Sequence, residues 1–226
     1  MKPAATRYVH RLILCRLLAV PPFYVFVHLP KTGGTSLRLA AAKQLGWDRI
    51  LYDYGRREEL TSPLVVEWIY ERKDPEGFAA AVRAGGYRIL SGHFPVDRYR
   101  QVFSTASFLT WMREPSQRVW SAYRHFKRRG NFDGSLMEFC HTEEHRNVQA
   151  RFMGADLDAF DVIGVQEHYT RSLQMLAADT GLTLEERRAN QTPVDHIAPP
   201  TPEEWQVIAS LNEADYALYR KVQRRF

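Results

Sequence analysis

Residues 23–29 (FYVFVHL) form an unbroken aromatic and β-branched run that directly follows two prolines. A run of this kind predicts a strand buried on both faces. The turn 30–34 comes next, and residues 35–44 (TSLRLAAAKQ) are strong helix formers with Gly46 just past their end. Strand, glycine-bearing turn and helix make the opening unit of a phosphate-binding α/β fold. Further strands are expected at 88–93 (RILSGH), 107–112 (SFLTWM) and 161–165 (DVIGV). Between the first two, residues 56–84 are charged and predicted to be helical in pieces, with Pro63 and Pro75 as breaks. In residues 116–129 the apolar positions Val119, Trp120, Tyr123 and Phe126 recur at helical spacing. Helices are also expected at 167–180 and at 203–225, the latter broken near 212–215.

Alternating strands and helices predict an α/β fold: three layers, P-loop-like, with a central, mostly parallel sheet flanked by helices. In such sheets ligands bind at the carboxyl ends of the strands. With 226 residues the chain is expected to form a single domain, 1–226, led by an amphipathic arm, 1–22. The apolar stretch 12–20 is too short to span a bilayer and is interrupted by Arg16. That predicts no membrane span, with a peripheral membrane contact as the lesser reading. The net charge of +5 suits an anionic partner without naming one. Cys15 and Cys140 form neither a metal-ligand spacing nor a disulfide framework, which suits a reducing, cytoplasmic setting.

The turn after the first strand, His28-Leu-Pro-Lys-Thr-Gly-Gly-Thr-Ser36, has the parts of an anion cradle. Gly33 and Gly34 allow close backbone approach, and Thr35 and Ser36 open a helix whose free N–H groups favour phosphate. Lys31 adds a charge, and Thr32, Thr35 and Ser36 add hydroxyls. A kinase-type loop would place its lysine after the glycines, and no acid in a Walker-B position follows a strand. The loop resembles the 5′-phosphosulfate loop of sulfotransferases that use 3′-phosphoadenosine 5′-phosphosulfate (PAPS), in the form found in the carbohydrate 2-O-sulfotransferase-like branch. The resemblance implies that Lys31 stabilises charge on the departing phosphate, while Thr32, Gly33, Gly34, Thr35 and Ser36 hold the 5′-phosphate.

A second stretch, Trp111-Met-Arg-Glu-Pro-Ser-Gln-Arg-Val-Trp-Ser-Ala-Tyr123, resembles the 3′-phosphate element of the same family. By position, the likeness assigns Arg113 and Ser121 to the 3′-phosphate, and the arginine fork suits that task. Arg118, Arg124, Lys127, Arg128 and Arg129 are expected to form a solvated basic helix face. Weaker likeness runs through 146–154, 163–167, 190–193 and 215–219, and the loop 190–192, preceded by Arg187 and Arg188, is a candidate to close over the nucleotide.

Sulfuryl transfer needs a base for the acceptor hydroxyl. His93, in Ser91-Gly-His-Phe-Pro95 at the end of an expected strand, resembles the family's Gly-His base position. Glu114 and Glu167 stand in reserve, and His28 reads as structural. The expected reaction is direct in-line transfer from PAPS to a hydroxyl acceptor, most simply a sugar, leaving adenosine 3′,5′-bisphosphate (PAP) and calling for no metal. Two rivals are a small-molecule kinase with a variant loop and a non-catalytic binder of anionic polymer. No nucleic-acid partner is expected.

Overall fold

A computed structural model describes residues 22–184 and 196–226. Five strands form one sheet: β1 (Tyr24–Val27), β2 (Ile50–Asp53), β3 (Ile89–Gly92), β4 (Ser107–Met112) and β5 (Val162–Val165). The order is β2-β3-β1-β4-β5 and every pairing is parallel. Val27, the last residue of β1, pairs with Gly92 on one side and with Thr110 on the other. The loops leaving β1, β3 and β4 therefore emerge together at the carboxyl edge.

Strand residues alternate between two cores, as the period of two requires. Tyr24, Phe26, Leu109 and Trp111 pack on α1 (Gly34–Leu45) and α6 (Tyr169–Thr180), through Leu37, Ala41, Leu173 and Leu176. Val25, Val27, Leu90 and Met112 face the other way, toward Phe78 and Val82 of α2 (Pro75–Ala84) and Leu218 and Val222 of α8 (Glu213–Gln223). Helices on both faces of a parallel sheet make the three-layer arrangement expected. A third cluster joins α3 (Pro115–Arg128) to α4 (Leu136–His141) and α7 (Pro202–Ser210) through Val119, Tyr123, Phe139 and Ile208. The short helix α5 (Val148–Met153) lies against α8.

Two local expectations are corrected. The sheet has a fifth strand, β2, at one edge, where the pattern reading had assigned none. Pro63 and Pro75 begin helical segments rather than break them, because proline lacks only an N–H that a first helical position leaves unpaired anyway. The tail does divide as expected, between Ser210 and Glu213, where buried Asn212 donates to the Ile208 carbonyl and accepts from the Asn147 amide.

Candidate active site

The loop after β1 is shaped by two left-handed residues, Lys31 (φ 67°) and Gly33 (φ 88°). A Cβ on Gly33 would lie 2.1 Å from Gln166 Oε1, and one on Gly34 would lie 2.3 Å from His28 Cδ2. Gly33 is favoured by its left-handed backbone, and Gly34 by the close approach of the His28 and Phe26 rings. α1 starts without a side-chain cap and without an acid in its first turn, so its positive end is not neutralised by its own side chains. Within the loop, the Thr32 hydroxyl is buried and donates to the Leu29 carbonyl at 2.9 Å. The Ser36 amide donates to the Gly33 carbonyl and its side chain is buried. Thr35 is half-buried, and its hydroxyl has no partner among the described residues.

Lys31 is the centre of a positive field. Burial, followed by the charges of Arg128, Arg113 and Arg129, pushes its pKa down to about 8. Its ammonium makes no ion pair among the described residues. The same field, after burial, pushes His125 on α3 down to about 4. His125 has no distinguishing motif around it, and only the fold brings it within reach of the Lys31 charge.

Arg113 ends β4, and its main chain is clamped: Gln149 Oε1 accepts its amide at 3.0 Å and Gln149 Nε2 donates to its carbonyl at 2.9 Å. Its guanidinium makes no hydrogen bond among the described residues. Burial depresses its pKa, with Glu167 and Glu114 opposing and Arg124 assisting. Glu114 caps α3 by accepting the Gln117 amide at 2.7 Å, and it also accepts a short bond from the Tyr216 hydroxyl. Glu167 accepts the Glu114 amide at 2.9 Å and the Tyr219 hydroxyl at 3.0 Å. The two reserve carboxylates therefore serve as struts around Arg113. Ser121 lies half-buried in the middle of α3, its hydroxyl without a partner among the described residues.

Arg118 corrects the expectation of a solvated helix face. It is 1% exposed, donates to the His145 carbonyl at 2.7 Å and feels the charge of Asp215. Arg124 and Lys127 instead lie over the rings of Trp120 and Tyr123, and Arg128 and Arg129 are exposed.

On the other flank, His93 leaves β3 and its amide donates to the Asp53 carbonyl. Its ring centroid lies 4.9 Å from that of His28 and 4.6 Å from that of Tyr54. His28 Nδ1 shares a 3.1 Å hydrogen bond with the Tyr54 hydroxyl. Burial, then the charge of Arg38 on α1, pushes His93 down to about 4, while burial and the His93 charge put His28 well below its ordinary range. Both rings are neutral at pH 7. His93 Nε2 is shielded from solvent and has no hydrogen-bond partner among the described residues.

These depressed histidines imply a stability slope. The unfolded chain takes up protons on both residues near pH 6.5, whereas in the folded chain His93 resists until pH approaches 4 and His28 is likewise held below its ordinary range, so stability falls as pH drops below 6.5. His93 alone accounts for on the order of 3 kcal/mol by pH 4. Urea midpoints at pH 7, 5.5 and 4.5 should therefore decline, and less steeply in His93→Gln. Identical slopes would mean that His93 is not held neutral by burial.

Among the described residues, no three His, Cys, Asp or Glu side chains come together to hold a metal, and no helix is long and apolar enough to cross a membrane. Residues 1–21, Arg187, Arg188 and the loop 190–192 lie outside the described residues.

No protein-family model matches this chain, and no curated protein does. Among solved structures, a sulfotransferase from Alicyclobacillus acidocaldarius aligns over 88% of this chain and 94% of its own, with 16% identity and a TM-score of 0.51. A retinol dehydratase in complex with retinol and PAP aligns over 80% of this chain and 65% of its own, with 12% identity and a TM-score of 0.32, too low to carry an argument. The parallel five-stranded sheet with its flanking helices is therefore the fold of the Alicyclobacillus sulfotransferase.

Proposed function

We propose that this chain is a PAPS-dependent sulfotransferase that passes a sulfuryl group to an acceptor hydroxyl, a carbohydrate in the simplest case. The observation that carries the reading is the meeting of two unlike groups at one sheet edge. Lys31 and Arg113, buried enough to have depressed pKa values and without ion pairs among the described residues, stand at the ends of β1 and β4. Neutral His93, whose shielded Nε2 has no partner among the described residues, stands at the end of β3. Lys31, crowded by Arg113, Arg128 and Arg129 and without an ion pair among the described residues, is costly unless an anion joins it. A neutral imidazole beside that position is what removing a hydroxyl proton requires.

PAPS fits this set: a glycine-lined turn for the 5′-phosphosulfate, and Arg113 with Ser121 for the 3′-phosphate. When bound, it supplies the sulfuryl group that moves. Lys31, the N–H groups of the loop 32–35 and the hydroxyls of Thr35 and Ser36 bind the 5′-phosphate oxygens and hold the charge that collects there on transfer. In its Nδ1–H tautomer, His93 presents the Nε2 lone pair to the acceptor hydroxyl and takes its proton as that oxygen attacks in line. The buried surroundings of His28, Tyr54 and Phe152 keep bulk water from His93.

The test is a thermal-shift titration with PAP, with ADP and with ATP plus magnesium. PAP at about a hundred times its Kd should stabilise the fold by about 2.7 kcal/mol. The affinity should also depend on pH in one direction. The free Lys31 pKa of about 8 must rise when an anion binds, so affinity is flat just below pH 8 and weakens up to tenfold per unit above it. A response only to ATP with magnesium would favour the variant kinase, and no response to any nucleotide would favour a plain anion binder.

A further inference from the structure

Arg113 stands where the sheet can no longer hold the chain. On one side of β4 the pairing with β1 ends at Thr110, and on the other the pairing with β5 ends at Met112. Past that point the peptide groups of a strand lose their ladder partners and need others. Side chains take over here. The Gln149 amide group spans the Arg113 main chain, accepting from its N–H at 3.0 Å and donating to its carbonyl at 2.9 Å. The next amide, that of Glu114, donates to Glu167, and Pro115 after it has none to give.

Gln149 is itself fixed from behind. It is fully buried, and its own amide donates to the Asp215 carboxylate at 3.3 Å, beside the Ala150 amide at 2.7 Å. The Asp215 amide in turn donates to the Asn147 side chain at 3.1 Å, and Asn147 takes a left-handed backbone (φ 47°) where α5 opens. This clamp ends on a residue whose guanidinium has no hydrogen bond among the described residues. The Arg113 fork therefore takes its starting point from the clamped main chain. A neutral amide suits that task better than a carboxylate. It offers the peptide one donor and one acceptor, and it leaves the arginine charge uncompensated for a ligand.

We propose that Gln149 is the positioning residue that gives the donor site its preference for a 3′-phosphate. This rests on the sulfotransferase reading, in which Arg113 meets that phosphate, and adds what makes the meeting selective. A loosely held arginine attracts any nearby anion, whereas a bidentate bond to one phosphate requires the fork to arrive at a fixed place and angle. With the main chain clamped, less freedom is lost when that bond forms. Without the clamp Arg113 keeps its charge but not its aim. A nucleotide that lacks the 3′-phosphate makes no use of the clamp, so its binding is indifferent to Gln149.

Calorimetric titration compares PAP with adenosine 5′-monophosphate (AMP), which differs from it only in lacking the 3′-phosphate. In Gln149→Met, which keeps the volume and removes both bonds, the PAP Kd should weaken about tenfold to a hundredfold while the AMP Kd stays parental. Gln149→Asn keeps the amide on a shorter side chain, so it is the gentler variant and should show the same one-sided loss. Arg113→Ala should abolish the PAP preference. Adding Gln149→Met to it should weaken PAP no further, because the clamp then has no fork to aim. Equal weakening of PAP and AMP, a PAP preference that survives in both Gln149 variants, or additive losses in the double variant would each overturn the proposal. A parent that binds PAP no tighter than AMP, or an Arg113→Ala variant that keeps the preference, would instead strike the assignment of Arg113, so the two readings fail separately.

Discussion

Lys31→Ala is expected to lower sulfuryl transfer at least a hundredfold while leaving the free protein as stable as before, or more stable. The two effects have one cause. Lys31 is held half-buried beside Arg113, Arg128 and Arg129, and in the absence of ligand these like charges repel. Deleting the ammonium relieves that repulsion, and the left-handed backbone at this position is shared by both residues, so no new strain arises. On the proposed reading, what is lost is a charge directed at the leaving phosphate oxygen, and losing one preorganised donor of this type costs about 10²–10³ in rate. Turnover with PAPS and thermal unfolding, measured on the same preparation, check both halves. A variant that transfers at the parental rate would take Lys31 out of the chemistry, and one that melts well below the parent would make it a structural residue.

The largest expected effect on stability is at Arg118. Arg118→Ala should cost about 3–5 kcal/mol, because it breaks a buried charge arrangement and leaves the partners behind. The guanidinium donates to the His145 carbonyl, and its charge opposes that of Asp215, whose carboxylate is buried and accepts the amides of Gln149 and Ala150. Removing Arg118 strands that carboxylate and opens a cavity inside α3. Arg118→Met, which keeps the volume, should recover part of the loss. Urea unfolding at pH 7 distinguishes the cases, and an alanine variant within about 1 kcal/mol of the parent would show that Arg118 is dispensable in the core. Because Gln149 also clamps Arg113, the alanine variant should bind PAP less well even where it remains folded.

How far the sequence foretold this arrangement depends on the range of the interactions involved. β1, its loop and α1 were legible because a buried run, two glycines and a helix start are local signals. Ser107–Met112 matches its strand residue for residue, and Arg113 stands where a strand meets a proline-led helix. β2 was missed because it is a four-residue edge strand, too short for a period to register. Arg118 and Arg38 were missed for another reason. Their surroundings come from residues far along the chain, such as Asp215 for one and Tyr52 and His93 for the other, and no nearby pattern marks an arginine as buried. The stretches around Gln149, Glu167 and Asp215 bore only a faint family likeness. In the fold they meet as the scaffold of Arg113, a role that residue type alone does not announce.

The position of β1 at the middle of the sheet has a consequence for how the protein is made. Its two neighbours, β3 and β4, come from about sixty to eighty residues downstream, so the donor loop has no walls until those distant segments have docked. Parallel pairings of this separation form late, because the long intervening chain must first be ordered. A nascent or partly assembled chain therefore offers the nucleotide nothing to hold. On the proposed reading, whatever free energy a donor nucleotide contributes accrues to the completed sheet as a whole, so that ligand would guard the finished molecule without trapping its precursors.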